Sequence, residues 1–253
     1  LWSPEQQPFM VPKNKKIIEK FQKEVVEEEF WDAICRGIVE EIYWVGGEPL
    51  MYDIHWRSMD RLAMDKNLQK VHLRYNSNLS RVRFGKHYLY DWLPQAKDWT
   101  MCASIDATGE IGEFIRTGLN WEEWDKNFRE GVAIPGGHDR MLMDLTLTGP
   151  GMFDLKNFFD YALELDVKIE TKRMFAFHPD IVMSAMAWPR HILDRIIDEN
   201  LAYIEPRATE KQQTLINELK NMKVTPTFHE QWPDSVEDSF FNGRGWIDKI
   251  AEI

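Results

Sequence analysis

The chain has 253 residues, 43% of them hydrophobic and 13% aromatic, enough to bury a core as one large α/β domain or two small ones. Acids outnumber bases by 42 to 31, a formal charge of −11, which disfavours a nucleic-acid partner; the basic stretches at 13–16 and 81–86 read as solvated surface. No apolar run reaches the ~18–20 residues of a membrane helix, and the first residues do not open a signal peptide. Two cysteines, Cys35 and Cys102, argue against a secreted disulfide scaffold and suit a reducing, cytoplasmic setting.

Residues 1–12 hold three prolines and two glutamines and read as an irregular lead-in. From 13 to about 37 the pattern is helical: Ile17, Phe21 and Val25 recur at four-residue steps, and Gly37 is the expected stop. A strand–helix rhythm follows. Residues 41–45 predict a strand, 53–66 a helix, and 70–75 a strand ending in Asn76-Ser77-Asn78. Residues 81–90 fit a short hairpin or a loop. Residues 99–105 predict a strand ending in Asp106, 121–129 a helix, and 140–148 a strand running into Gly149-Pro150-Gly151. A helix over 153–165, a strand over 167–175 and helices over 192–200 and 207–222 complete the series, with short helices and loops in the last thirty residues. Repeated strand–helix units predict a parallel sheet with right-handed crossovers. The strands read as near-continuous apolar runs, so both faces of the sheet are expected to be covered.

In parallel α/β folds, ligands bind at the carboxyl ends of strands. Those ends carry Gly46, Gly47 and Glu48; Asn76 and Asn78; Ser104 and Asp106; Thr146, Thr148 and Gly149; and Lys172 and Arg173. Such a mouth suits a ligand with an ammonium, a carboxylate and a ribose. Glu48 and the glycine carbonyls would take the ammonium, Arg116 the carboxylate through its planar fork, and the Asn and Ser side chains the hydroxyls. Each residue also has a plain structural role open to it. Gly46-Gly47 can be a tight turn with Glu48-Pro49 opening a helix. Asp106 to Gly109 can be a capped turn, and Arg116 a surface charge. The seven histidines show no HxxxH or HExxH spacing, and GxSxG, GxxxxGK[ST] and GxGxxG motifs are absent from the sequence.

Together these residues resemble a known family. Ile42-Tyr43-Trp44-Val45-Gly46-Gly47-Glu48-Pro49-Leu50 is similar to the second strand and GGE motif of radical SAM enzymes. Leu73 to Leu79 is similar to their third strand and its Asn-rich end. Ser104-Ile105-Asp106-Ala107, with Arg116 twelve positions after Ser104 and Trp121 beyond, resembles the fourth strand of the branch carrying SPASM or twitch extensions. The resemblance spans roughly residues 40–200. It implies a partial (β/α)6 TIM-like barrel at 40–205, preceded by a lead-in and helix at 1–39 and followed by a helical extension at 206–253. It further implies S-adenosylmethionine as cofactor, with Gly46, Gly47 and Glu48 at the methionyl amino group and Ser104 and Arg116 at its carboxylate. Asn76, Asn78 and Asp106 are secondary candidates. The activity implied is reductive cleavage of S-adenosylmethionine to a 5′-deoxyadenosyl radical that takes a hydrogen atom from a peptide or protein substrate, with an external reductant.

One hallmark is missing. The family holds a [4Fe–4S] cluster on a CxxxCxxC loop before the GGE motif, and Cys35 stands alone there. Cys102 falls mid-strand and is expected in the core. Two accounts stay open. In the first, the loop and first strand lie upstream of Leu1, so the barrel lacks its first strand and the cluster is expected only with those upstream cysteines. In the second, the chain is a degenerate, non-catalytic module that binds S-adenosylmethionine or a peptide without a cluster.

Overall fold

The computed structural model describes residues 12–174 and 180–233. They form an α/β fold built on a five-stranded parallel sheet. By contacts the chain divides into two compact units. One takes in the chain up to Arg74 together with Val82–Trp99; the other takes in Tyr75–Arg81 together with the chain from Thr100 onward.

In the first unit, α1 (Pro12–Phe21) and α2 (Glu28–Arg36) are joined by a π-helical turn. Gly37, at φ +62, ends them in the left-handed conformation that a helix stop favours. The stripe of Ile17, Phe21 and Val25 is not buried; Ile34 is, and Phe30 meets Trp44 edge-on at 5.6 Å. Strand β1 (Glu41–Trp44) buries Ile42 and Trp44 and exposes Tyr43. Helix α3 (Asp53–Met64) buries Trp56, Met59 and Leu62, each worth roughly 1.5–3 kcal/mol of transfer free energy. Strand β2 (His72–Ser77) begins here and ends in the second unit. The ambiguous stretch is a hairpin: β3 (Arg83–Phe84) pairs antiparallel with β4 (His87–Tyr88), with Gly85 at φ +56 in the turn. The short α4 (Leu89–Trp92) sets Trp92 5.8 Å from Trp56.

The second unit is a repeat of strand and helix. Strand β5 (Asp98–Ile105) leads to α5 (Gly109–Ile115), α6 (Trp121–Ala133) and α7 (Gly137–Arg140). Strand β6 (Met141–Leu147) leads to a 3-10 turn and α8 (Leu155–Glu164). Strand β7 (Lys168–Arg173) is followed by α9 (Arg190–Ile204), α10 (Gln213–Val224) and α11 (Phe228–Gln231). Strands β5, β6 and β7 pair in parallel, with Ser104 opposite Asp144 and Asp144 opposite Glu170. The sheet order is β1-β2-β5-β6-β7.

Burial of these strands corrects the expectation of two covered faces. Met101, Ala103 and Ile105 are buried with Met143, Leu145, Leu147 and Ile169. The alternate residues Cys102, Ser104, Leu142, Asp144, Thr146, Glu170 and Lys172 are half-exposed or exposed. The period of two is therefore amphipathic, and apolar Leu142 had disguised it. Cys102 stands on this open face, not in the core. Among the described residues no helix is long and apolar enough to cross a membrane.

Candidate functional site

The site is assembled at the carboxyl ends of the strands of the second unit. Asp106 follows the last residue of β5, and α5 carries the chain out and back so that Arg116, its C-cap, returns to it. Arg116 Nε and Nη2 donate to the two carboxylate oxygens of Asp106 at 2.6 and 3.1 Å. This is a side-on fork, and the Asp106 side chain is only 9% exposed. The expected partner of Arg116, Ser104, is thus replaced by Asp106 as the group that fixes the guanidinium.

The neighbouring connection is tied to this one. Asp154, just before α8, accepts from Thr108 N at 2.5 Å and from Thr108 Oγ1 at 2.7 Å. Gly151 presses so close that a Cβ there would stand 2.6 Å from the Asp106 carbonyl and 2.8 Å from Thr148 Oγ1. The loop after β2 is pinned to α6 by Asn127, whose amide donates to the Leu79 carbonyl at 2.8 Å.

Between these anchors lies a cleft of about 310 Å³, lined by Asn78, Ser80, Arg116, Asn120, Glu123 and Trp124 among others. Asn78 Oδ1 accepts from Ser80 N at 2.9 Å, and Asn120 Oδ1 caps α6 by accepting from Glu123 N at 2.8 Å. With both amide oxygens committed to backbone, Arg116 and the two amide nitrogens are donors in the lining and the Glu123 carboxylate is an acceptor. The wall behind them holds Trp124, which is 1% exposed and whose buried indole N–H has no hydrogen-bond partner among the described residues. A buried donor without an acceptor costs about 1–3 kcal/mol.

The other candidates are placed differently. Ser104 turns to the neighbouring strand: its hydroxyl lies 3.5 Å from Asp144 Oδ2, which also takes Lys172 Nζ at 2.6 Å. Asn76 lies on the half-exposed side of β2. Gly46, Gly47 and Glu48 belong to the first unit. Both glycines have positive φ, +90 and +38, and a Cβ on Gly47 would stand 2.9 Å from Tyr52 Oη. Glu48 Oε1 accepts from Leu50 N at 3.1 Å, capping the 3-10 turn Pro49–Met51. The structural role open to this motif is therefore realised.

Sequence reasoning passed over Asp144, Asp154 and Trp124. Asp144 was visible as the one acid inside Met141-Leu142-Met143-Asp144-Leu145, and Asp154 as a capping-type residue ahead of a helix. Nothing local marks Trp124; its place comes from tertiary packing.

Among the described residues no group of three or more His, Cys, Asp and Glu side chains could hold a metal ion. Cys35 is exposed on α2 in the first unit and Cys102 sits on β5 in the second. Two thiols, one to each unit, do not fit a [4Fe–4S] cluster, which needs a concentrated thiolate set. No protein-family model matches the chain, and no curated protein matches it.

Proposed function

We propose that this chain is the S-adenosylmethionine-binding domain of a radical SAM-type enzyme, a partial (β/α)6 barrel of the twitch-bearing branch. The observation that carries the reading is the Asp106–Arg116 fork beside the cleft. Asp106 engages the Nε and Nη2 side of the guanidinium. The Nη1 end is then the edge offered to a ligand carboxylate, held in orientation by the acid behind it. The hydroxyl and amide groups of Ser80, Thr117, Asn78 and Asn120 in the lining would meet further acceptors of the same ligand. At about 310 Å³ the cleft is at the small end of ligand sites and would hold one end of S-adenosylmethionine. Radical formation from that ligand needs cluster thiolates that Cys35 and Cys102 do not supply, so this chain's own residues account for binding and orientation. That same observation supports a second reading, a binding module without radical chemistry.

Equilibrium dialysis with labelled S-adenosylmethionine tests the proposal. Wild type should bind saturably, and Arg116→Ala should weaken binding roughly tenfold or more, in keeping with the loss of a charge-assisted hydrogen bond. No saturable binding by wild type, or unchanged binding in Arg116→Ala of confirmed fold, would sink it.

A further inference from the structure

Against α5 the second unit carries a groove of about 420 Å³ that shares no lining residue with the cleft. Its walls are Ile111 and Phe114 of α5, Pro150 and Phe153 of the turn after β6, and Trp188, with Glu110 at the rim. The lining is almost wholly apolar yet open to water. Phe114 is 52% and Phe153 66% exposed, and the Phe153 and Trp188 rings lie 5.5 Å apart, tilted by 42°. An exposed aromatic concavity of this kind marks a contact site. It sits at the functional rim, since α5 and the turn of Phe153 both leave the carboxyl ends of strands. Its walls are also braced: a Cβ on Gly112 would stand 2.4 Å from the Ala107 carbonyl, and one on Gly151 2.6 Å from the Asp106 carbonyl.

We propose that this groove docks a short peptide segment, holding one large apolar side chain with a basic residue beside it. Size argues against a folded partner or a second copy. Six residues line the groove, against roughly 20–30 a side in a standard protein interface. Its volume suits one bulky side chain with its flanking backbone. Charge selects the neighbour. Glu110 stands at the rim in the first turn of α5, and the whole chain carries −11. A lysine or arginine next to the anchor is therefore drawn in, and an acidic neighbour is repelled.

The test uses short fluorescein-labelled peptides in a glycine–serine background, with phenylalanine between two lysines, alanine between two lysines, or phenylalanine between two glutamates. Fluorescence anisotropy should show saturable binding of the first and at least about tenfold weaker binding of the other two. Phe153→Ser and Phe114→Ser should abolish it, Glu110→Lys should remove the preference for lysine, and Met64→Ser, an exposed site in the first unit, should change nothing. Dialysis with S-adenosylmethionine on Phe153→Ser should match wild type, so the groove and the cleft stand or fall separately. Absence of saturable binding, binding that survives Phe153→Ser, or equal binding of the glutamate peptide would overturn the proposal. So would sedimentation showing a concentration-dependent dimer that Phe153→Ser abolishes, which would make a second copy the occupant.

Discussion

His55 shows how strongly one residue can tie stability to pH. It lies wholly buried in α3, its ring edge-on to Trp44 and to Trp56 with centroids 4.8 Å away in each case. Burial pushes its pKa from the ordinary 6.5 down to about 3. The unfolded chain takes up the proton near pH 6.5 while the folded chain refuses it until about pH 3. The contribution is therefore fully present above pH 6.5 and is lost as pH falls through that window. Replacing His55 with Phe keeps an aromatic ring and removes the proton site. Urea unfolding of His55→Phe should show a shallower fall between pH 7 and 5, by on the order of 2 kcal/mol relative to wild type. Parallel pH profiles for the two proteins would refute the assignment. The Asp106–Arg116 fork is the second residue-scale device. It was half legible: the sequence offered Arg116 as a carboxylate ligand and Asp106 as a capped turn, but not their pairing, because the nine intervening residues had no evident structure.

At the scale of elements, the stretch that hid the pairing is α5. It has seven residues, two of them glycine, and no long apolar period, so nothing in its sequence announces a helix. Its stability comes from tertiary anchors, above all Thr108 on Asp154 and Gly112 against the Ala107 carbonyl. The longer elements were easier. Helix α8 and strands β5 and β6 carry enough repeats of their period to be read within a residue or two. What could not be read was which face of the sheet stays open, since apolar residues such as Leu142 and Cys102 occur on both. The connections after β5 and β6 lock through Gly151, which supplies space for a backbone approach. Gly151→Ala would put a methyl 2.6 Å from a carbonyl oxygen that cannot easily withdraw. Overpacking of this kind costs about 1–3 kcal/mol. Chemical denaturation should show that loss, together with weakened ligand binding at Arg116; wild-type stability would show that the turn relaxes freely.

At the scale of the whole molecule, the candidate cofactor residues divide between the two units: Gly46 to Glu48 in one, and Asn76, Asn78, Ser104, Asp106 and Arg116 in the other. The thiols divide likewise, Cys35 and Cys102. Anaerobic treatment of residues 1–253 with iron and sulfide, followed by desalting, should therefore leave less than about one iron per chain, because cluster assembly needs a converging thiolate set. A stoichiometric cluster retained by this chain would refute that reading of its cysteines. The open polar face of β5–β7 bears on the same question. Parallel strands normally bury both faces; this one carries Ser104, Asp144, Glu170 and Lys172 instead, polar groups close to the strand ends where a ligand is expected.

One packing feature has an optical consequence. Trp121 and Trp124 stack 5.4 Å apart at 15°, and Phe128 lies 4.8 Å beyond at 9°. Trp124 also forms part of the cleft wall beside Arg116. Occupation of that cleft should therefore change the intrinsic tryptophan emission, a label-free readout on α6 that Trp124→Phe should diminish.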